Sequence, residues 1–236
     1  MRDKTMIPRS CIPCEKIDPD VYDWYLRHAA KVAESKEKSA DIIFIGDSIT
    51  HFWNDGENIS YGKEVWDEFF GDFCTLNLGF GFDRTQNMLW RLQHGEGDNQ
   101  KPALIVLNAG TNQFSITENY SGDTPAEAFE GVKKLIQTIR SRWPEAELIV
   151  MAVFPRLPEN PTQKNIDQLN GYIKNFLQEN ADPKIKFIDI SQQLRKPDGS
   201  FNADLYHDRS CHPNADGYRI WARALMPEIH RVFAHE

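Results

Sequence analysis

The sequence predicts one α/β domain of doubly wound architecture, with a parallel sheet of five strands. Five short apolar runs rich in β-branched residues occur along the chain, and longer amphipathic stretches separate them. Runs that are apolar throughout suit strands buried on both faces, and their alternation with helices suits a parallel sheet. The chain has 236 residues, 40% of them apolar, which is enough to bury such a sheet in a single domain.

The strands are predicted at residues 41–46, 74–78, 103–108, 147–154 and 185–190. Apolar residues that recur every three to four positions predict helices at 22–38, 84–94, 124–142, 161–180 and 213–233. Thr124, followed by Pro125 at the first turn and by Glu127 three positions after the cap, makes a capping box. We expect residues 1–40 to form an arm and a helix packed on a domain of residues 41–236.

Charge and hydropathy argue against two classes of partner. The net charge of −8 leaves no basic stripe that would neutralise a run of phosphates, so nucleic-acid binding is disfavoured. The longest apolar run, 148–154, has seven residues, far fewer than the roughly 18 that a membrane-spanning helix needs. Residues 1–16 lack the apolar segment of a secretory signal. A cytoplasmic location is therefore the default expectation, and a secreted or periplasmic one follows if a leader precedes this sequence.

Four cysteines are too few for a disulfide scaffold. Cys11 and Cys14 have the spacing of metal ligands, but no second pair accompanies them, so we interpret them as part of a loosely held N-terminal arm. Cys211 adjoins His212, yet a cysteine nucleophile is disfavoured because neighbours in sequence rarely face each other productively. No metal or cofactor is expected.

Polar and glycine-rich segments follow the first four predicted strands, at residues 46–48, 79–83, 110–113 and 155–156. In an open parallel sheet, the loops at the carboxyl ends of the strands converge on the ligand site. We therefore expect these segments to line one site.

Ser48 and His212 are the candidate nucleophile and general base. A serine hydroxyl needs a base that takes its proton, and His212 lies just before the last predicted helix with Asp208 close in sequence. Acyl transfer also needs donors for the oxygen that becomes negative. Asn112 offers a side-chain N–H, and Ser48 and the loop at 79–83 offer backbone N–H groups.

Four ordered blocks of this sequence resemble the SGNH, or GDSL-type, hydrolases: Gly46-Asp47-Ser48, Asn77-x-Gly79, Gly110-Thr111-Asn112, and Asp208 with His212. Residues 83–96 look most like the branch of platelet-activating-factor acetylhydrolase catalytic subunits and their bacterial relatives. The resemblance implies a flavodoxin-like three-layer α/β/α sandwich and a triad of Ser48, His212 and Asp208. It also implies an oxyanion hole made by the N–H groups of Ser48 and the second block together with the Asn112 amide.

The chain departs from the family pattern at two positions. The family usually has a glycine before the aspartate of the second block, whereas this chain has Phe82 there and Gly81 one residue earlier. Every residue except proline has a backbone N–H, so we expect Phe82 to donate and its ring to narrow the acyl pocket. The family usually places its aspartate three residues before the histidine, whereas Asp208 lies four before His212. Either a one-residue bulge restores the contact, or a backbone carbonyl orients His212.

Four further residues are candidates for substrate binding. Asp47 follows the first strand and is expected to cap or brace the turn rather than to do chemistry. Gly81 lies beside the expected donor Phe82. Trp53 lies close enough to Ser48 in sequence to wall a pocket, but it also suits the core. Arg156, after the fourth strand, either contacts a substrate or pairs with an acid at the rim.

These observations predict an ester hydrolase that forms an acyl-enzyme on Ser48. The family resemblance and the bulky Phe82 favour a short acyl group, with acetyl as the first expectation, on a carbohydrate or another small alcohol. A lysophospholipase or thioesterase is the alternative among enzymes. A non-catalytic carbohydrate- or lipid-binding protein is the alternative outside them. Relatives in the family form dimers, so a homodimer is compatible with the sequence.

Overall fold

Five parallel strands form the centre of the computed structural model, which describes residues 7–56, 59–157, 162–208 and 210–234. The strands are β1 (Ile42–Gly46), β2 (Thr75–Gly79), β3 (Leu104–Asn108), β4 (Glu147–Met151) and β5 (Ile185–Ile188). They lie in the order β2-β1-β3-β4-β5, and each neighbouring pair is parallel. This flavodoxin-like order has its topological switch between β1 and β3. The predicted five-stranded parallel sheet is confirmed.

Helices cover both faces of the sheet. They are α1 (Trp24–Glu37), α2 (Ser48–Asn54), α3 (Lys63–Phe70), α4 (Thr85–Gln93), α5 (Pro125–Arg142), α6 (Lys164–Glu179) and α7 (Ala215–Phe233). Helices α4, α5 and α6 pack on one face and α2, α3 and α7 on the other. Helix α1 lies near the β2 edge, where the Arg27 guanidinium donates to the carbonyl of Gly79. No helix within the four described ranges combines the length and apolar character needed to cross a membrane.

The strands are apolar at nearly every position because each face has its own core. In β1, Ile43 and Ile45 belong to the core under α4, α5 and α6, whereas Ile42 and Phe44 belong to the core under α2, α3 and α7. All four side chains are fully buried. Burial on both faces therefore explains the continuous apolar runs that predicted the strands.

The predicted helices exist, with ends that differ by a few residues. The capping box is confirmed, since Thr124 accepts the N–H of Glu127 at 3.3 Å and its own N–H is donated to the Glu127 carboxylate at 2.9 Å. The helix predicted from residue 161 begins at Lys164, and 158–161 lie outside the described residues. The strand predicted to run to residue 154 ends at Met151, because the neighbouring β5 ends there.

Two helices, α2 and α3, were absent from the sequence prediction. Helix α2 has seven residues, and 48–53 are all buried, so it shows no polar face and no amphipathic period. Helix α3 does show the helical period, since its apolar residues lie at positions 65, 66, 69 and 70, but its eight residues are fewer than the roughly 11 over which such a pattern is usually judged. Packing against the sheet is the main feature that distinguishes α2 from a loop.

The N-terminal arm, residues 7–23, packs on the domain through hydrogen bonds. The hydroxyl of Ser10 donates to the carbonyl of Glu127 at 2.5 Å, and the hydroxyl of Thr85 donates to the carbonyl of Ser10 at 2.8 Å. The arm thus joins the starts of α4 and α5, and it leads into α1 at the edge of the sheet.

Candidate active site

Helix α2 begins directly after β1, so the candidate nucleophile Ser48 lies at the carboxyl edge of the sheet. Asp47 is the N-cap of this helix, and its Oδ1 accepts the N–H of Ile49 at 2.9 Å. Asp47 is completely buried, and burial raises the pKa of its carboxyl to about 7. It therefore caps the first turn of α2 and presents no surface to a substrate.

Ser48, His212 and Asp208 form one hydrogen-bonded chain. The Ser48 Oγ lies 2.8 Å from Nε2 of His212, although the two residues are 164 positions apart. The Nδ1 of the same ring lies 2.5 Å from Oδ2 of Asp208. When the ring is neutral with its proton on Nδ1, the lone pair of Nε2 faces the serine hydroxyl. A serine can lose its proton to a histidine in this arrangement.

Asp208 accommodates its four-residue spacing by using its two oxygens differently. Oδ1 accepts the N–H groups of Ser210, Cys211 and His212 at 2.8, 3.0 and 3.1 Å, while Oδ2 faces the His212 ring. Three backbone N–H groups thus hold the carboxylate, which orients the ring in place of a backbone carbonyl. Burial alone would raise the pKa of Asp208, but the hydrogen bonds it accepts hold that pKa well below its usual value.

The pKa of His212 responds to opposing effects. Burial of the ring disfavours its protonated form, whereas the hydrogen bond to Asp208 and the sulfur of Cys211, 3.7 Å from Nδ1, favour it. The favourable contacts together outweigh burial, so the pKa lies above the usual 6.5. His212 can accept a proton from Ser48 only at a pH where its ring has lost one.

Candidate donors for an oxyanion come from the loops after β1, β2 and β3. In the part of the chain that the structure describes, the N–H groups of Ser48 and Phe82 have no hydrogen-bond acceptor. The side-chain nitrogen of the buried Asn112 donates to the carbonyl of Asp83 at 3.0 Å. This bond uses one amide hydrogen and fixes the amide plane, and the other hydrogen is available to a ligand. The sheet therefore brings the three donors to one edge.

The loop after β2 offers Phe82, not Gly81, as its backbone donor. The N–H of Gly81 is already donated to Nδ1 of His51 at 3.1 Å. Phe82 has a φ of 56°, in the left-handed region that favours glycine. The backbone at this position therefore has a conformation that glycine adopts easily, although the residue carries a ring.

Trp53 lies in the core, whereas Arg156 lines a cavity. Trp53 has no exposed surface and stacks between Tyr218 and Trp221, with ring centroids 4.8 and 4.4 Å away. The idea that Trp53 walls a substrate pocket is thus wrong, since it belongs to the core. Arg156 donates to the hydroxyl of Thr111 at 3.2 Å, and none of its hydrogen-bond partners among the described residues is an acid. Together with Phe82 it lines a cavity of about 690 Å³.

Three residues that belong to no motif contact the loop after β2. His51 accepts the Gly81 N–H, and Lys16 and Tyr22 both donate to the Gly81 carbonyl. Burial, together with nearby cations, lowers the pKa of His51 to about 2, so the ring is a neutral acceptor. The position of His51, one helical turn after Ser48, was a sequence signal for its role. Lys16 and Tyr22 had no comparable signal.

One group of candidate metal ligands occurs among the described residues. Ligand atoms of Asp208, Cys211 and His212 lie within 4.8 Å of one another. The same Asp208 and His212 atoms form the hydrogen-bonded chain to Ser48, so an ion there would replace that contact. Cys11 and Cys14 are free thiols and belong to no such group within the described ranges.

Comparison with known proteins identifies the family. Residues 44–220 match the model of the GDSL-like lipase/acylhydrolase family. The chain belongs to this family. It is therefore a hydrolase of the SGNH type, as the ordered motifs predicted.

Among curated GDSL-family relatives, the chain is 30% identical over 214 residues to platelet-activating factor acetylhydrolase IB subunit alpha1 of Homo sapiens. The match covers 90% of this chain and 85% of the human protein. This chain is also 31% identical to platelet-activating factor acetylhydrolase IB subunit alpha2 of Rattus norvegicus, and that match covers 82% of this chain and 74% of the relative. These relatives agree with the branch that residues 83–96 resemble.

Solved structures show the same fold. A GDSL-like lipase from Bacteroides thetaiotaomicron superposes with a TM-score of 0.68 at 23% identity, covering 89% of this chain and 98% of that one. A carbohydrate esterase family 3 protein from Talaromyces cellulolyticus gives a TM-score of 0.60 at 16% identity, covering 83% and 98%. The flavodoxin-like sandwich implied by the family resemblance is confirmed.

Proposed function

We propose that the protein hydrolyses short-chain esters, acetyl esters first, through an acyl-enzyme on Ser48. The observation that carries the proposal is the continuous chain from Ser48 Oγ to His212 and on to Asp208, with contacts of 2.8 and 2.5 Å. The N–H groups of Ser48 and Phe82 and the second amide hydrogen of Asn112 are available as donors at the same edge of the sheet. A base, its orienting carboxylate and an oxyanion hole are the parts that serine acyl transfer requires.

In the first half-reaction, Ser48 Oγ attacks the carbonyl carbon of the ester and its proton passes to Nε2 of His212. The carbonyl oxygen becomes negative and accepts hydrogen bonds from the N–H groups of Ser48 and Phe82 and from the Asn112 amide. The bond to the alcohol oxygen then breaks, and His212 returns its proton to that oxygen. The alcohol leaves, and the acyl group stays on Ser48.

In the second half-reaction, water attacks the acyl-enzyme carbonyl while His212 takes one of its protons. The same donors stabilise the second tetrahedral intermediate. His212 then protonates Ser48 Oγ as the bond to the acyl carbon breaks, which releases the acid and restores the enzyme. Asp208 stabilises the imidazolium that forms in each half-reaction, and it remains ionised throughout.

The preference for a short acyl chain rests on Phe82 and on the relatives. Phe82 supplies both a proposed oxyanion donor, through its N–H, and the bulky ring that we assign to the wall of the acyl site. Relatives about 30% identical over most of the chain are named acetylhydrolases. Phe82 and Arg156 border a cavity of about 690 Å³, which is large enough for a sugar or another small alcohol, although Ser48 and His212 are not among the residues that line it.

The first experiment compares hydrolysis of p-nitrophenyl acetate by the wild type and by Ser48→Ala. We expect Ser48→Ala to lose at least about a thousandfold in kcat, because no other nucleophile replaces Ser48. Ser191→Ala, a hydroxyl deletion beyond β5, serves as the matched control and keeps full activity. A fluorophosphonate probe should label the wild type and not Ser48→Ala. Equal rates for these two proteins would eliminate Ser48 as the nucleophile.

The second experiment measures kcat/KM for p-nitrophenyl acetate, butyrate and octanoate. The proposal predicts that kcat/KM falls as the chain lengthens, because the Phe82 ring shortens the acyl site. A preference for octanoate would contradict the short-chain assignment and favour a lysophospholipase activity. Failure of all three esters and of fluorophosphonate labelling would favour a non-catalytic binding protein.

A further inference from the structure

The peptide group that joins Gly81 to Phe82 is held by residues from outside its loop. Its carbonyl oxygen, on Gly81, accepts hydrogen bonds from the ammonium group of Lys16 and from the hydroxyl of Tyr22, the latter at 3.2 Å. Both donors belong to the N-terminal arm, about 60 residues away in sequence. The N–H of this same peptide group is the Phe82 donor of the proposed oxyanion hole.

Lys16 is confined rather than free in solvent. Its side chain is 9% exposed, and its ammonium lies 3.6 Å from Asp20 and 3.8 Å from Asp83. Burial lowers the pKa of Lys16, while the charges of Asp83 and Asp20 oppose that decrease. The two carboxylates therefore favour the charged form of Lys16 beside the Gly81 carbonyl.

The other side of the loop is fixed by helix α2. The N–H of Gly81 is donated to Nδ1 of His51 at 3.1 Å, and the His51 ring packs edge-on against Tyr22 with centroids 4.8 Å apart. The loop is thus clamped between the arm and the helix that carries Ser48. This clamp also supports the left-handed backbone of Phe82, which is strained for a residue with a side chain.

When a peptide oxygen accepts hydrogen bonds, the N–H of the same peptide group becomes a stronger hydrogen-bond donor. The C–N bond has partial double-bond character, so donors at the oxygen draw electron density from nitrogen and make its hydrogen more positive. Such cooperative strengthening is about 10–30% per bond, and a cation increases it. A donor fixed before the reaction also needs no reorganisation when the oxyanion forms.

We propose that Lys16 and Tyr22 are positioning residues that hold and polarise the Gly81–Phe82 peptide, so that the N-terminal arm completes the oxyanion hole. The inference rests on the proposed function, because it assigns the Phe82 N–H to the oxyanion. It gives a positioning role to an arm that contains none of the family motifs.

The test uses the full chain with Tyr22→Phe and Lys16→Met. Tyr25→Phe is the matched control for the first, since the Tyr25 hydroxyl bonds to Glu15 on the same arm and does not touch the loop. Lys36→Met, at the exposed end of α1, is the control for the second. With p-nitrophenyl acetate, we expect kcat to fall about fivefold for Tyr22→Phe and about tenfold or more for Lys16→Met, with KM nearly unchanged. Both controls should retain the wild-type kcat.

A pair of ketone inhibitors separates polarisation from general damage. Ser48 Oγ attacks the carbonyl carbon of a trifluoromethyl ketone, and the resulting adduct places a negative oxygen in the oxyanion hole. The parent methyl ketone binds without forming that adduct. We expect inhibition by the trifluoromethyl ketone to weaken by the same factor as kcat in each variant. Binding of the methyl ketone should stay at the wild-type value.

The inference is overturned if both variants keep the wild-type kcat, or if they lose affinity for the two ketones equally. If Lys16→Met does not fold, Tyr22→Phe decides, because it removes a single oxygen atom. An active, fluorophosphonate-labelled wild type with unaffected variants would refute this inference alone. Wild-type activity in Ser48→Ala would refute the proposed function and this inference with it.

Discussion

At the scale of single residues, the contact between Asp208 and His212 determines how the candidate base titrates. The 2.5 Å contact fixes the ring orientation and raises the pKa of His212 above its usual value. Activity that depends on a neutral His212 therefore rises with pH until the pH passes that raised pKa.

Replacing Asp208 with asparagine should change both the rate and its pH dependence. We expect kcat to fall by up to about 10⁴, because an amide can favour the wrong ring tautomer. The acid limb of kcat/KM should move to lower pH, because the charge that favours protonated His212 is gone. A pH-rate profile with p-nitrophenyl acetate measures both effects, and Asp204→Asn in the same loop is the control. An unmoved acid limb would show that Asp208 does not set the pKa of His212.

Phe82 allows a test of backbone strain. Phe82→Gly and Phe82→Ala both remove the ring, but only glycine adopts a φ of 56° without a Cβ penalty. We expect the glycine variant to be more stable than the alanine variant by about 1 kcal/mol in urea unfolding. At the exposed Lys134, in the middle of α5, alanine should be the more stable of the same two substitutions. If alanine were the more stable substitution at position 82 as well as at position 134, the backbone of Phe82 would not be strained.

At the scale of elements, α2 and α7 bring the two halves of the candidate triad together. Ser48 is the first residue of α2, and His212 lies three residues before the start of α7. The Tyr218 hydroxyl of α7 donates to the carbonyl of Ile49 in α2 at 2.7 Å, and this bond is buried. One hydrogen bond therefore couples the helices that position nucleophile and base.

Tyr218→Phe removes that coupling and little else. We expect the free energy of unfolding to fall by about 1–2 kcal/mol, because the Ile49 carbonyl is left without this buried partner. We also expect kcat to fall severalfold as the spacing of Ser48 and His212 loosens. Thr124→Ala, which removes the N-cap of α5, should cost about 1 kcal/mol and leave kcat unchanged. Equal kcat values for the two variants would argue against a role of this bond in the site.

At the scale of the whole molecule, a buried charge network connects the loop after β2, helix α4 and helix α1. The fully buried Arg91 of α4 contacts Asp83 at 2.7 Å and also Glu96, and Glu96 contacts His28 of α1 at 2.8 Å. Asp83 follows the proposed donor Phe82 directly. The network therefore supports the site as well as the fold.

Arg91→Met should destabilise the protein by about 3–5 kcal/mol near neutral pH, because it removes the guanidinium that the two buried carboxylates of Asp83 and Glu96 share. Burial already raises the pKa of Asp83, and loss of Arg91 raises it further. A carboxyl with a raised folded-state pKa binds its proton more tightly when folded, so the deficit should shrink as pH falls and grow as pH rises. Urea unfolding at pH 5 and pH 8 measures this, with the surface variant Arg219→Met as control, for which about 0–1 kcal/mol is expected. A deficit independent of pH would rule out unpaired carboxylates as its cause.

The sequence by itself determined the sheet, the longer helices, and the candidate roles of Ser48, His212 and Asn112. These features leave local traces: strands buried on both faces are apolar throughout, long surface helices repeat every three to four residues, and site residues follow strand ends. Tertiary structure decided the rest. Short α2 is helical because of packing, and Trp53 is in the core because α2 faces the sheet.

Contacts between distant segments likewise could not be predicted from the sequence. The loop around the Asp208 carboxylate determines that Oδ2 reaches the His212 ring, and no spacing rule predicted that geometry. The left-handed Phe82 and its clamp by Lys16 and Tyr22 depend on where the arm crosses the sheet edge. Local sequence patterns indicate which surfaces of a segment are buried. Contacts such as these depend instead on which distant segment packs against it, and only the packed fold specifies that segment.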